Sequence, residues 1–220
     1  MTKMLALLAL IVPVAALAQD EPPPVEVDIV GGGVKSNVSI AVPVMPVAAG
    51  ADATLGRQVA EVIASDLRST GLFTPLGPNG IGGYSYDQAA SPAFAEWRSA
   101  GATQLVSGYV EGGAGGRITL GCYLHDVTAG RELTHNGFAV EAADWRRAAH
   151  KCADLVYARL SGEQAFLDTR IVYVAETGPK TNRVKRIALM DSDGANHRYL
   201  TVGRTTVLTP RFSPNGQQLV

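Results

Sequence analysis

Thr209-Pro-Arg-Phe-Ser-Pro-Asn-Gly-Gln-Gln-Leu-Val220 reads as a β-hairpin whose second strand has only begun. Pro214 presets φ near −65° at the second turn position, and Asn215-Gly216 accept the unusual dihedrals that follow. Phe212 before the turn and Leu219-Val220 after it are strand-type residues on either side of a tight reversal. A second strand that stops there leaves an unpaired edge and half a hydrophobic face. The chain therefore reads as a fragment, or as the opening of a longer repeat protein.

Working back from it, residues 171–220 carry short strands and regular turns with no helix. Ile171-Val-Tyr-Val174 is one strand, residues 183–190 a second, and residues 197–201 a third segment. Gly178-Pro-Lys-Thr-Asn182 and Asp191-Ser-Asp-Gly194 supply the turns. A β-propeller blade reads this way. Residues 163–170 connect this half blade to what precedes it.

Residues 34–162 have a different grammar. Val38-Ser-Ile-Ala-Val-Pro-Val44 is a strand closed by prolines, and Asp52 or Thr54 can cap a helix running to Thr70 with Gly71 beyond it. Leu55, Val59, Val62, Ile63 and Leu67 recur at helical spacing as its buried stripe. Leu72-Phe-Thr-Pro-Leu76 is a short edge strand, and Ser91-Pro92 opens a second helix with Phe94 and Trp97 facing inward. Strands over 103–110, 117–126 and 131–140 follow, then a helix over 142–160. Counting residues 25–30 as the first strand, the order is β-β-α-β-α-β-β-β-α. The fold class is α/β (α+β), a small mixed sheet with about three helices on one side, followed by the first strands of a β-propeller.

Composition narrows the function. A formal net charge of −1 over 220 residues gives no basic field for nucleic acid. Residues 1–18 read as a signal peptide: Lys3, the apolar run from Met4, and a small-x-small site for cleavage between Ala18 and Gln19. That run is too short to span a bilayer as a retained helix. The mature chain is expected to be exported to a periplasm, without membrane insertion. In that oxidising compartment Cys122 and Cys152, both on apolar faces, form either a strand-to-helix disulfide or two buried thiols.

Residues 19–33 stand apart. After Asp20-Glu-Pro-Pro-Pro24, the stretch Val25-Glu26-Val27-Asp28-Ile29-Val30 alternates apolar and acidic residues, then meets Gly31-Gly-Gly33. It reads either as an edge strand of its own domain or as a strand added to a partner's sheet.

Catalytic chemistry is not legible. His125, His135, His150 and His197 show no metal spacing, no Gly-x-Ser-x-Gly elbow occurs, and no cofactor motif stands out. Asp191-Ser-Asp-Gly194 resembles the start of a calcium loop, but Val202 stands where that loop needs a glutamate.

The exported leader, residues 25–30, Ser39-Ile-Ala-Val-Pro43, Ser65-Asp-Leu-Arg-Ser-Thr-Gly-Leu-Phe-Thr-Pro-Leu76, Arg170-Ile-Val-Tyr-Val174, Met190-Asp-Ser-Asp-Gly194 and the terminal hairpin occur in one order. In that order they resemble the TolB family of the Tol-Pal envelope system. The resemblance implies an N-terminal α/β domain and a propeller of about six blades. It implies a non-enzymatic periplasmic adaptor, without cofactor, between inner-membrane TolA and outer-membrane Pal, supporting envelope integrity and cell division. Residues 25–30 then correspond to the TolA-binding strand, while Pal docks on the propeller, and no Pal contact residue can be assigned. Two other readings compete. One is a propeller preceding the catalytic domain of an exported serine hydrolase of the prolyl-oligopeptidase type. The other is a periplasmic glycan-binding module, for which Tyr84, Tyr86 and Trp97 are the candidate aromatic platform.

Overall fold

The computed structural model describes residues 37–204, 207–216 and 218–220. The leader with its Ala18–Gln19 site and the strand at residues 25–30 lie outside the described residues.

The first layer is a five-stranded mixed sheet. In chain order it is built from β1 (Val38–Ala41), α1 (Leu55–Ser69), β2 (Phe73–Leu76), α2 (Phe94–Ser99), β3 (Gln104–Gly112), β4 (Arg117–Asp126), β5 (Arg131–Glu141) and α3 (Trp145–Ser161). The strand order is β2-β1-β3-β4-β5. β1 is parallel to both neighbours, whereas β3, β4 and β5 form an antiparallel meander. β2 carries Pro75 and lies at an edge, where a missing N–H costs the ladder nothing. On β5, Leu133 is an extra residue, since Leu124 faces Thr134 and His125 faces Glu132.

Each helix stops where its sequence says it should. Thr54 stands at the N-cap of α1 without a side-chain cap bond. Instead Asp52 Oδ1 accepts from the Thr54 amide at 2.8 Å and the Thr54 hydroxyl at 2.7 Å, turning the chain into the helix. Gly71, at φ +69°, ends it. α2 begins at Phe94, two residues later than the Ser91-Pro92 signal suggests, and Ala93 at its N-cap makes no side-chain cap bond.

The two faces of the sheet are both covered, which corrects the expectation of helices on one side. On β1 and β3, Ile40 and Val106 point into the main core with Val59, Ile63 and Leu67 of α1 and Ala149, Cys152 and Val156 of α3. Their neighbours Ala41 and Leu105 point the other way, into a smaller cluster with Trp97 of α2 and Val127. Trp97 is only 3% exposed. A six-residue helix cannot persist alone in water, and burial of this indole on the second face is what retains it.

Cys122 of β4 and Cys152 of α3 are joined as a disulfide, with Cα atoms 5.8 Å apart. Both sit in the main core, between the middle of the sheet and the helix that covers it.

The second layer is a three-stranded antiparallel sheet, β6 (Arg170–Thr177), β7 (Val184–Asp191) and β8 (Arg198–Tyr199), in that order. Gly194, at φ +84°, closes the turn after β7 by donating to Asp191 O at 2.9 Å. The terminal hairpin forms as read. The Gly216 amide donates to Ser213 O at 2.8 Å, and Phe212 faces Leu219. Contacts join the described residues into one compact unit.

Candidate functional site: the junction of the two sheets

The connector before β6 is held from both sides. Asp154 of α3 accepts from the Leu167 amide at 2.7 Å and from the Asp168 amide at 3.0 Å. Ser192, in the turn after β7, donates through its hydroxyl to Leu167 O at 2.6 Å and through its amide to Thr169 O at 3.0 Å. Leu167 itself belongs to the main core. What the sequence presents as a connector is thus a clasp, made from a carboxylate and a hydroxyl aimed at backbone groups.

Beside the clasp lies a cluster of charges. His150 of α3 places Nδ1 2.6 Å from Asp66 Oδ2 of α1, both side chains almost wholly buried. Its Nε2 is buried without a hydrogen-bond partner and lies 3.9 Å from Asp193 Oδ2 in the turn after β7. Arg146 of α3 donates to the same Asp193 oxygen, while its guanidinium lies over the Trp145 ring at 5.3 Å. Arg147 adds an ion pair to Asp168 at 3.3 Å. Burial lowers the affinity of the His150 imidazole for a proton, but the Asp66 hydrogen bond and the charges of Asp66 and Asp193 outweigh it and raise its pKa above the ordinary value. Burial pushes the Asp66 carboxyl up, with the His150 hydrogen bond opposing.

Asp66, His150 and Asp193 bring one ligand atom each within 4.8 Å of the others. Divalent-ion chemistry fits the donors poorly. Asp66 already serves His150, and the Arg146 guanidinium sits on Asp193 where a cation would need that oxygen. Next to the cluster, a cleft of about 350 Å³ is lined by Arg146, Arg147, Arg170, Asp191, His197 and Arg198.

A second buried histidine looks catalytic at first sight. Ser107 Oγ of β3 lies 2.9 Å from His125 Nε2 of β4. The hydroxyl, however, donates its proton to Ala89 O at 2.5 Å, so it accepts from the Nε2–H of His125 rather than giving it a proton. Both side chains are fully enclosed, and Phe94 caps the imidazole edge-on at 5.7 Å. Burial depresses the His125 pKa, keeping the ring neutral. A shut pair with the hydrogen bond running toward serine is a structural device, not a nucleophile.

The aromatic platform proposed from sequence is not assembled. Trp97 is core, and the Tyr84 hydroxyl is committed to the Gly108 backbone, accepting at 2.7 Å and donating at 2.8 Å. Tyr86 stands outside, against Tyr109 at 4.6 Å between ring centres. The sequence reading missed Asp66 and His150 as a pair, although a signal existed. Asp66 falls at the spacing of the apolar stripe Val59, Ile63, Leu67, where a carboxylate needs a buried partner.

Comparison with known proteins decides the family. Residues 25–133 match the TolB amino-terminal domain, and residues 157–220 match the TolB beta propeller domain. The chain belongs to the TolB family. It is 54% identical over 192 residues to the Tol-Pal system protein TolB of Zymomonas mobilis subsp. mobilis, covering 84% of this chain and 42% of that protein. It is 46% identical over 232 residues to Tol-Pal system protein TolB 1 of Novosphingobium aromaticivorans, covering 99% of this chain and 51% of that one. The crystal structure of TolB from Acinetobacter baumannii matches with a TM-score of 0.66 at 23% identity, over 83% of this chain and 43% of that one, an agreement of fold. The chain spans about half the length of the TolB proteins it matches. Its three-stranded sheet accordingly falls within the TolB propeller match. No helix among the described residues is long and apolar enough to cross a membrane.

Proposed function

We propose that this chain works as a non-enzymatic periplasmic adaptor of the Tol-Pal system, joining TolA on one side to Pal on the other. Residues 1–18 serve as the cleaved leader, residues 34–162 form the N-terminal domain, residues 163–170 the connector, and residues 171–220 belong to the first propeller blade. Residues 25–30 add as a strand to the sheet of TolA, and Pal docks on the propeller. The observation that carries this reading is the TolB match beginning at residue 25, which takes in the apolar-acidic strand. Further support comes from the start of β1. The Val38 amide donates to Leu72 O at 3.0 Å, and Ser39 O accepts from both the amide and the hydroxyl of Thr103 at 2.9 Å. The first strand of the sheet is therefore tied to its neighbours from Val38 onward.

In strand addition the backbone supplies affinity and alternate side chains supply specificity. Deleting residues 21–30 is expected to abolish TolA binding in calorimetry while leaving the thermal melt nearly unchanged. Replacing Val25, Val27 and Ile29 with serine is expected to weaken binding much more than replacing Glu26 and Asp28. Undiminished binding by the deletion variant would overturn the assignment.

A further inference from the structure

We propose that His150 is a protonated pin holding the turn after β7 against the α1–α3 pair, so that the junction between the two sheets loosens as pH rises. This device is independent of which partners the chain binds.

The argument starts from hydrogen-bond capacity. Nδ1 lies 2.6 Å from a carboxylate oxygen, so it carries hydrogen. If Nε2 lacked hydrogen, its lone pair would be buried, unpartnered and facing the Asp193 carboxylate at 3.9 Å. A proton on Nε2 turns that repulsion into attraction. Charge counting agrees. The groups facing His150 are Asp66 from α1, Asp193 from the turn, and Arg146 from its own helix. Two carboxylates and one guanidinium leave one negative charge, which a protonated imidazole cancels. The raised imidazole pKa follows from the same neighbours.

Asp193 makes this local charge balance a mechanical one. Its other oxygen, Oδ1, accepts from the Ala195 amide at 3.0 Å and so shapes the turn itself. The same turn presents Ser192 to the connector at Leu167 and Thr169. Loss of the proton leaves Asp193 facing an uncharged ring and Asp66 across it, with Arg146 alone as counter-charge. The turn, and with it the clasp on the connector, then opens more often.

The test is an NMR titration of the His150 ring on the full chain, together with amide exchange at Ser192, Gly194 and Ala195, corrected for intrinsic rates. We expect wild-type His150 to titrate above 6.5. Protection of the turn should fall several-fold as that proton leaves, while Leu120 in the sheet centre stays unchanged. In Asp193→Asn the His150 titration should move down and turn protection should become independent of pH. Asp193 lies at the surface, so this variant is expected to fold, and the wild-type titration stands without it. A His150 titration at or below 6.5, a titration unmoved by Asp193→Asn, or turn protection that ignores pH would each overturn the proposal.

Discussion

His150 Nδ1 and Asp66 Oδ2 meet at 2.6 Å in the seam between α3 and α1, with side chains 2% and 4% exposed. Removing one member leaves the other buried without its partner, at a cost of roughly 3–5 kcal/mol. His150→Ala and Asp66→Ala should each lower the unfolding free energy by about that amount in urea melts. The double variant His150→Ala with Asp66→Ala should cost far less than the two single changes summed. Additive losses would mean that the pair is not coupled.

The two buried histidines tilt the pH dependence in opposite directions. His125 has a lowered pKa, so its neutral ring suits the fold, and its contribution is lost as pH falls below about 6.5. His150 has a raised pKa, so its contribution is full below about 6.5 and is lost as pH rises through its folded value. A melting profile against pH should therefore show a maximum near neutrality. His125→Asn is expected to flatten the acid limb and His150→Gln the alkaline limb. If one substitution flattens both limbs, these assignments fail.

Cys122 and Cys152 close a loop with a sequence separation of 30. Chain entropy puts the stabilisation of such a loop at about 3–4 kcal/mol. Unfolding the chain without reductant should expose no reactive thiol in a colorimetric assay. Reduction, or Cys122→Ala with Cys152→Ala, should shift the denaturant midpoint down accordingly. Two thiols in the unreduced chain would refute the bridge.

Gly56 opposes helix propensity to packing. In an exposed helix interior, glycine to alanine gains about 1 kcal/mol. Here a Cβ at Gly56 would lie 1.9 Å from Met45 O, a backbone atom that cannot swing away. Gly56→Ala is therefore expected to lose stability, by about 1–3 kcal/mol. A gain in the thermal melt would show that the approach of residue 45 to α1 is looser than the structure has it.

Much of the architecture was legible because its signals are local. The stripe from Leu55 to Leu67, the alternation along β4, and the Ser213–Gly216 turn each lie within one element, where period and turn chemistry act over a few residues. The same readability failed for α2. Trp97 was recognised as core, but a short apolar stripe does not say which face of a sheet it will meet.

The sequence by itself determined the order of elements from β1 onward, the turn residues and the family, and it carries the apolar-acidic pattern of residues 25–30, since all of these are patterns between near neighbours. Only the tertiary structure decided that Asp66 and His150, 84 residues apart, form a buried hydrogen-bonded pair and that Ser107 and His125 form a closed pair. It alone showed that the connector is clasped. Such contacts depend on how helices and strands pack, and burial then turns an ordinary titratable side chain into one whose partner is obligatory.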